Sequence, residues 1–278
     1  MRSFIRPFRV RHYEVDFLGH LNNANYVRFM QEAAIEASTE AGFSPQWYRE
    51  NGTGWVIRRL EIRYHAQARY GEELNITTWV SDLKRATSHR EYLITRMNDG
   101  AQMARARVNW VYVDLKTGQP IRIPEYFREA FQPSGELEEL GIRITKAQNT
   151  EDAHRYRAYV ARKRLSWIEQ AYFDAIRNAG HPIESLQPQG WTVLQGGHDI
   201  EYFEPAFDHD EIELVSWICE MAKVRGAWWH EIYNAKTNKL LARDYSLGVF
   251  VNAEGKLFAP PQEIVAEVVY GTKIEKRS

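Results

Sequence analysis

The sequence of 278 residues has few of the features that mark secreted or membrane proteins. Its one cysteine, Cys219, allows no disulfide within the chain, so a reducing, cytoplasmic compartment is expected. No apolar run approaches the roughly 20 residues that cross a bilayer, and the first residues have the pattern of a strand rather than a signal peptide. A net charge of -1 provides no general attraction to nucleic acid or to a membrane surface, so neither is an expected partner.

Motifs of several enzyme classes are also missing. The chain has no Gly-x-Ser-x-Gly elbow, no phosphate-binding loop, no dinucleotide fingerprint and no His-Glu-x-x-His zinc motif. Residues 208–210 (Asp-His-Asp) suggest a metal site, but they fall at a predicted turn between strands, and a polar turn is the preferred interpretation. Cys219 lies in a strand pattern that favours packing over a nucleophilic role. We therefore expect no metal and no redox cofactor.

The second half of the chain repeats the first at an offset of 138 residues. Segment 73–80 (ELNITTWV) corresponds to segment 211–218 (EIELVSWI), which aligns Trp79 with Trp217. This offset is close to half the chain length, as expected for two tandem copies of one unit. The copies are predicted to form an intramolecular pseudo-dimer, and further assembly into a homo-oligomer stays open.

Each copy is predicted to hold one long helix packed on an antiparallel sheet, an α+β fold. In the first copy, an opening strand is expected around Phe8–Val15. A helix from about Tyr26 carries apolar residues at a 3.6-residue period and ends near Gly42, a residue typical of a helix C-terminus. Strands are then expected near residues 55–65, 72–84, 88–98 and 102–114.

The same pattern predicts the domain boundaries. The first copy is assigned to residues 1–125 and the second to residues 153–270. Residues 126–152 are assigned to a linker, because they contain Pro133, two glycines and a run of glutamates and are long for a loop inside a compact domain.

A group of polar residues stands directly before the first helix, in the order Asp-x-x-Gly-His-x-Asn-Asn-x-x-Tyr. Its members are Asp16, Gly19, His20, Asn22, Asn23 and Tyr26. A helix start leaves about four backbone N–H groups unpaired and carries partial positive charge. These groups could stabilise an oxyanion while a nearby carboxylate acts as base or nucleophile. The simpler alternative is helix capping and turn chemistry.

This motif, followed by a long helix and four strands, resembles the 4-hydroxybenzoyl-CoA thioesterase-like branch of the hotdog-fold superfamily over roughly residues 5–125. The tandem copies resemble double-hotdog acyl-carrier-protein thioesterases and their acyl-CoA relatives. The resemblance implies two tandem hotdog units and a hydrolase for acyl-CoA-type thioesters, with coenzyme A as part of the substrate. In the plant acyl-carrier-protein enzymes the corresponding motif lies in the C-terminal copy, and its N-terminal place in this chain favours acyl-CoA.

Three other functions remain open as alternatives. They are an acyl-carrier-protein thioesterase, a dehydratase-like hotdog enzyme and a non-catalytic protein that binds acyl thioesters. A carboxylate near the thioester carbonyl argues against a pure binder, which gains little from that charge.

The resemblance also assigns roles to the motif residues. Asp16 would be the catalytic carboxylate, and the backbone N–H of Asn23 would polarise the thioester carbonyl. His20 is the third catalytic candidate. Candidates for substrate contacts are Gly19, Asn22 and Tyr26, although Tyr26 also fits the buried stripe of the helix.

The second copy lacks this motif, so one active site per chain is expected. At the same offset, Asp16 corresponds to His154 and Asn23 to Ala161. Glu169 could be a second catalytic carboxylate, but it stands three residues after a serine. That spacing is typical of a capping box, which is the preferred interpretation.

Overall fold

The computed structural model describes most of the first half of the chain and the sheet of the second half. The described residues are 3–16, 18–135, 140, 154–159 (backbone only), 190–207, 209–252 and 254–262, with single positions at 168, 177, 180, 182, 185, 188 and 265. The chain divides into two compact units, Met1–Ile142 and Arg143–Ser278. Among the described residues, no helix is long and apolar enough to cross a membrane.

Five antiparallel strands form the sheet of the first unit. They are β1 (Phe4–Arg9), β2 (Thr53–Tyr64), β3 (Glu73–Leu83), β4 (Thr87–Arg96) and β5 (Gln102–Asp114), in the spatial order β1-β3-β4-β5-β2. The four later strands confirm the sequence prediction to within a few residues. The predicted position of the opening strand was wrong, because β1 ends at Arg9 and residues His12–Glu14 form a 3₁₀ turn. The side chain of Glu14 accepts a hydrogen bond from the backbone N–H of Arg11 at 2.8 Å and holds that turn.

Helix α1 (Asn23–Glu40) packs one face against the sheet. Its buried apolar residues are Tyr26, Phe29, Met30, Ala33 and Ala34, which confirms the predicted stripe. Phe29 stacks on Phe8 of β1 with ring centroids 4.5 Å apart. Burial of this stripe is the main source of stability for a helix of this length. The α+β class is therefore confirmed.

Two short helices were not predicted: α2 (Pro45–Glu50) and α3 (Tyr126–Phe131). Helix α3 lies in the segment assigned to the linker, yet it completes the aromatic core of the first unit. Phe127 is fully buried, with its ring centroid 4.4 Å from that of Phe43 and 5.4 Å from that of Tyr112. Both partners are distant in sequence, so local patterns gave no sign of this packing.

The second unit repeats the topology of the first. Its strands are β6 (His154–Tyr159), β7 (Trp191–Tyr202), β8 (Glu211–Ala222), β9 (Arg225–Asn234) and β10 (Leu240–Asn252), in the order β7-β10-β9-β8-β6. In the first unit Thr78 pairs with Tyr92, and in the second unit Ser216 pairs with His230. Each residue of the second pair lies 138 positions after its counterpart in the first. The tandem repeat is thus confirmed down to the strand register. The predicted second helix lies almost entirely outside the described residues.

Replacing Phe127 with alanine should lower the free energy of unfolding by about 3–5 kcal/mol, because it leaves a cavity in a closed aromatic cluster. Urea denaturation followed by tryptophan fluorescence would measure the loss. Glu129→Ala, an exposed change on the same helix, is the control and should alter stability by less than about 0.5 kcal/mol. Equal midpoints for the two variants would show that α3 contributes nothing to this core.

Candidate active site

The motif residues form a closed loop between the 3₁₀ turn and α1. Val15 and Leu21 form an isolated antiparallel bridge at its base. Inside the loop, the backbone N–H of Asp16 donates to the carbonyl of His20 at 2.7 Å. Asp16 directly follows Val15 inside the loop, and α1 begins at Asn23, two residues after Leu21. Asp16 is therefore a loop residue, and its predicted place at the end of the opening strand was wrong.

Asp16 uses part of its carboxylate to hold this loop. Its Oδ1 accepts hydrogen bonds from the backbone N–H groups of Leu18 at 2.8 Å and of His20 at 3.0 Å. Its carbonyl accepts from the N–H of Gly19 at 3.0 Å, and Gly19 has a φ of 75°, a conformation that favours glycine. Among the described residues, Oδ2 has no hydrogen-bond partner. One oxygen thus stabilises the loop while the other is available for chemistry.

Asn22 and Asn23 make up the start of α1. Asn22 is the N-cap, and its Oδ1 accepts a hydrogen bond from the N–H of Ala24 at 3.0 Å. Asn23 is the first helical residue, and its backbone N–H finds no acceptor in the part of the chain that the structure describes. This free donor lies at the positive end of an 18-residue helix. It can therefore donate to a developing negative charge.

Two buried residues that were not predicted fix the position of the helix start. The carbonyl of Glu14 accepts from the N–H of Asn22 at 2.9 Å and from Nδ2 of Asn25 at 2.8 Å. Oδ1 of Asn25 in turn accepts from Arg28 at 3.0 Å. The signal in the sequence is a third asparagine, directly before the apolar stripe of the helix. Sequence patterns could not indicate its acceptor, which is a backbone carbonyl eleven residues earlier.

His20 lies half-buried beside Asp16. Burial lowers the pKa of His20, the carboxylate of Asp16 acts in the opposite direction, and Arg69 lowers it further. The backbone of His20 forms a bridge with Arg69, and its buried Nδ1 has no hydrogen-bond partner among the described residues. The loop therefore presents a neutral imidazole next to a carboxylate at neutral pH.

Tyr26 lies behind the loop rather than on its surface. It is fully buried, its ring meets Tyr64 edge to face at 5.3 Å, and burial raises its pKa to about 12. Its hydroxyl accepts a weak hydrogen bond from the N–H of Ala68 at 3.4 Å. The carbonyl of Ala68 in turn accepts from the N–H of Leu21 at 2.7 Å. These contacts favour a core role in which Tyr26 supports the loop through Ala68.

The other candidates do not form a site within the described residues. Burial raises the pKa of Cys219 to about 12, which leaves almost no thiolate. The carboxylate of Asp210 accepts from the N–H of Phe207 at 2.9 Å in a turn, and no metal-binding group is found in the described part of the chain. Asp208 and Glu169 lie outside the described residues, as does the side chain of His154.

A long helix on a five-stranded antiparallel sheet, with a carboxylate loop at the helix start, defines a hotdog-fold protein. The repeat of this sheet makes it a tandem hotdog. Residues 10–131 match the family model of the Thioesterase-like superfamily, so this part of the chain is similar to that superfamily.

Similar proteins include single-unit and double-unit thioesterases. The long-chain acyl-CoA thioesterase FadM of Escherichia coli (strain K12) is 29% identical over 124 residues, which span 45% of this chain and 93% of FadM. The chloroplastic acyl-[acyl-carrier-protein] hydrolase FATB2 of Cuphea viscosissima is 25% identical over 137 residues, 47% of this chain but only 33% of that protein. The structure of the 12:0-ACP thioesterase from Umbellularia californica aligns with a TM-score of 0.74 and 15% identity, covering 90% of this chain and 94% of that one. This last likeness is one of fold alone.

The groups around His20 in the loop predict the direction in which its pKa differs from the usual value. Its pKa should lie below the usual value of about 6.5, and Asp16→Asn should lower it further by removing the carboxylate that favours imidazolium. Stability linked to His20 should decrease as the pH falls below about 6.5, because the unfolded chain takes up the proton first. NMR titration of the ring Cε1–H would measure both shifts, with His20→Gln identifying the resonance. An unchanged or higher pKa in Asp16→Asn would contradict the arrangement.

Proposed function

We propose that this chain hydrolyses acyl thioesters, with acyl-CoA as the substrate class. The observation that carries this function is the loop geometry. The loop that leads into α1 holds a carboxylate by one of its oxygens, and the first N–H of that helix stays unpaired among the described residues. The likeness to FadM over nearly its whole length supports coenzyme A as the carrier. A cytoplasmic location agrees with the single cysteine.

In the proposed reaction, the backbone N–H of Asn23 donates a hydrogen bond to the thioester carbonyl oxygen. This bond strengthens as negative charge develops on that oxygen. Asp16 then acts in one of two ways. As a base, it takes a proton from the attacking water and returns it to the leaving thiolate. As a nucleophile, it attacks the carbonyl carbon, releases the thiolate and forms a mixed anhydride that water hydrolyses.

The remaining motif residues support this pair. Gly19 provides the left-handed turn that returns the chain toward the helix, and Asn22 caps the helix so that the N–H of Asn23 stays free. We propose that His20 and Gly19 line the approach of the substrate. Because the second copy has no counterpart of Asp16 at the repeat offset, the proposal gives one active site per chain.

An acyl carrier protein is the second candidate carrier, since plant relatives such as FATB2 act on that class. The two carriers can be compared by presenting one acyl group on coenzyme A and on an acyl carrier protein and measuring kcat/KM for each. A higher value for the carrier protein would favour the second candidate. Hydration of an enoyl-CoA without release of free thiol would instead indicate a dehydratase-like enzyme.

Asp16→Asn should reduce kcat/KM for thioester hydrolysis by about 100- to 10,000-fold, because it removes the base or nucleophile. Asparagine keeps an oxygen at the position of Oδ1, so the loop hydrogen bonds and the melting temperature should be retained. Asp16→Ala removes this acceptor as well and is the less suitable variant. Release of free thiol from acyl-CoA is the measurement.

The matched control for this experiment is Asp210→Asn, which alters another aspartate that accepts a backbone N–H in a turn. Its kcat/KM should equal that of the wild type. Wild-type activity in folded Asp16→Asn would refute the proposed mechanism.

Asn23→Pro and Asn23→Ala separate the backbone donor from the side chain. Proline deletes the N–H and is tolerated at the first helical position, and Asn22 already has the extended ψ of 137° that a following proline requires. The proline variant should lose about 100- to 1,000-fold in kcat, as expected for loss of an oxyanion donor. The alanine variant keeps the N–H and should stay much closer to the wild type. Equal losses in the two variants would assign the role to the side chain.

A further inference from the structure

Arg90 is a buried cation without an anionic partner among the described residues. It lies on β4 with 7% of its surface exposed. Its guanidinium makes one long hydrogen bond, to Oγ1 of Thr78 at 3.4 Å, and lies 5.6 Å from the ring centroid of Phe131. Arg107, on the neighbouring strand, is different because its Nε donates to the carboxylate of Glu91 at 2.7 Å. Arg90 therefore stands out in this sheet.

A buried charge with no counter-ion is costly, because its hydration is lost without compensation. Burial lowers the pKa of Arg90, but a guanidinium titrates so far above neutrality that it stays protonated in a protein. An apolar side chain of similar volume at this position would avoid the cost. The packing of the first unit therefore does not explain why a charged side chain is buried at Arg90.

Arg90 faces a cavity of about 350 Å³ within the first unit. Most of the wall is apolar and includes Ala34, Ile35, Phe43, Trp55, Leu83 and Phe131. Trp110 also contributes to this wall, and its indole N–H lies beside the hydroxyl of Tyr92. An apolar cavity of this size with a few polar groups is typical of a small-molecule site.

We propose that this cavity binds a small carboxylate with an apolar body, its charged group paired with Arg90 and its body against the apolar wall. A guanidinium matches the geometry of a carboxylate and can donate two parallel hydrogen bonds to it. The single negative charge of a carboxylate neutralises the single positive charge of Arg90. A phosphate dianion would leave a second charge buried and unpaired. An uncharged ligand would leave Arg90 uncompensated.

This site is separate from the candidate active site. The wall residue of α1 nearest to the motif is Gln31, eight residues after Asn23, which corresponds to about 12 Å along the helix axis. None of the motif-loop residues that the structure describes contributes to its wall. The proposal therefore does not depend on thioester hydrolysis, and the ligand binds whether or not Asp16 is intact.

Octanoate and octanamide form a matched pair of probes, since they have the same apolar chain and differ in the charge of the head group. Isothermal titration calorimetry of the full chain should show octanoate binding roughly 10- to 100-fold more tightly, as expected for a charge-assisted pair. Arg90→Met keeps the side-chain volume and should abolish this preference while preserving the fold, because it removes an unpaired buried charge. The control is Arg122→Met, at an exposed arginine outside this cavity, and it should behave as the wild type.

The wild-type comparison tests the proposal even if Arg90→Met fails to fold. Equal affinities for the two probes, or no binding of either, would overturn it. Inorganic phosphate binding as tightly as octanoate would also overturn it, because the apolar body would then contribute nothing. Asp16→Asn should keep the full preference for octanoate. A stronger preference in Asp16→Asn would instead place the bound carboxylate beside Asp16, because that substitution removes a repelling negative charge, and it would overturn the proposal.

Discussion

The burial of one face of α1 against the first sheet is the constraint on which the other features of this unit depend. The helix is marginal alone, and its stability comes from the stripe that ends in Ala34 and from contacts such as Phe29 on Phe8. Because this packing fixes the helix axis, it also fixes the positions of the groups at each end of the helix. The N-terminal end carries the N–H of Asn23, and the later turns close the cavity that Arg90 faces.

In the loop before α1, the hydrogen bonds of capping are compatible with the catalytic role that we propose for the same residues. Asn22 caps the helix, and Oδ1 of Asp16 accepts two backbone N–H groups in the way of an ordinary turn aspartate. These bonds hold the rest of the Asp16 carboxylate in place. The proposed reaction needs accurate positioning of this carboxylate, and the hydrogen bonds of the loop contribute to it.

The two units share strand register but differ in the chemistry of their buried layers. At matching positions, His198, His230 and Asp244 of the second unit replace Leu60, Tyr92 and Ala106 of the first. His198 Nδ1 lies 3.0 Å from Oδ2 of Asp244. Burial lowers the pKa of His230 to about 3 and raises that of Asp244. Backbone pairing therefore tolerates a change from an apolar to a polar interior, because the register depends on backbone hydrogen bonds.

The sequence by itself determined the features that depend on local periodicity and on repetition. Patterns among neighbouring residues predicted the apolar stripe of α1 and four of the strands in the first unit. They also predicted the repeat offset and the position of the motif before a helix. Only the tertiary structure decided the features that depend on distant partners. Phe127 completes a core that begins at Phe43, and Asn25 bonds the carbonyl of Glu14. Within the described part of the chain, Arg90 lacks an anion where Arg107 has one. An alternating strand pattern looks the same whether a buried arginine is paired or not, because its partner lies on another segment.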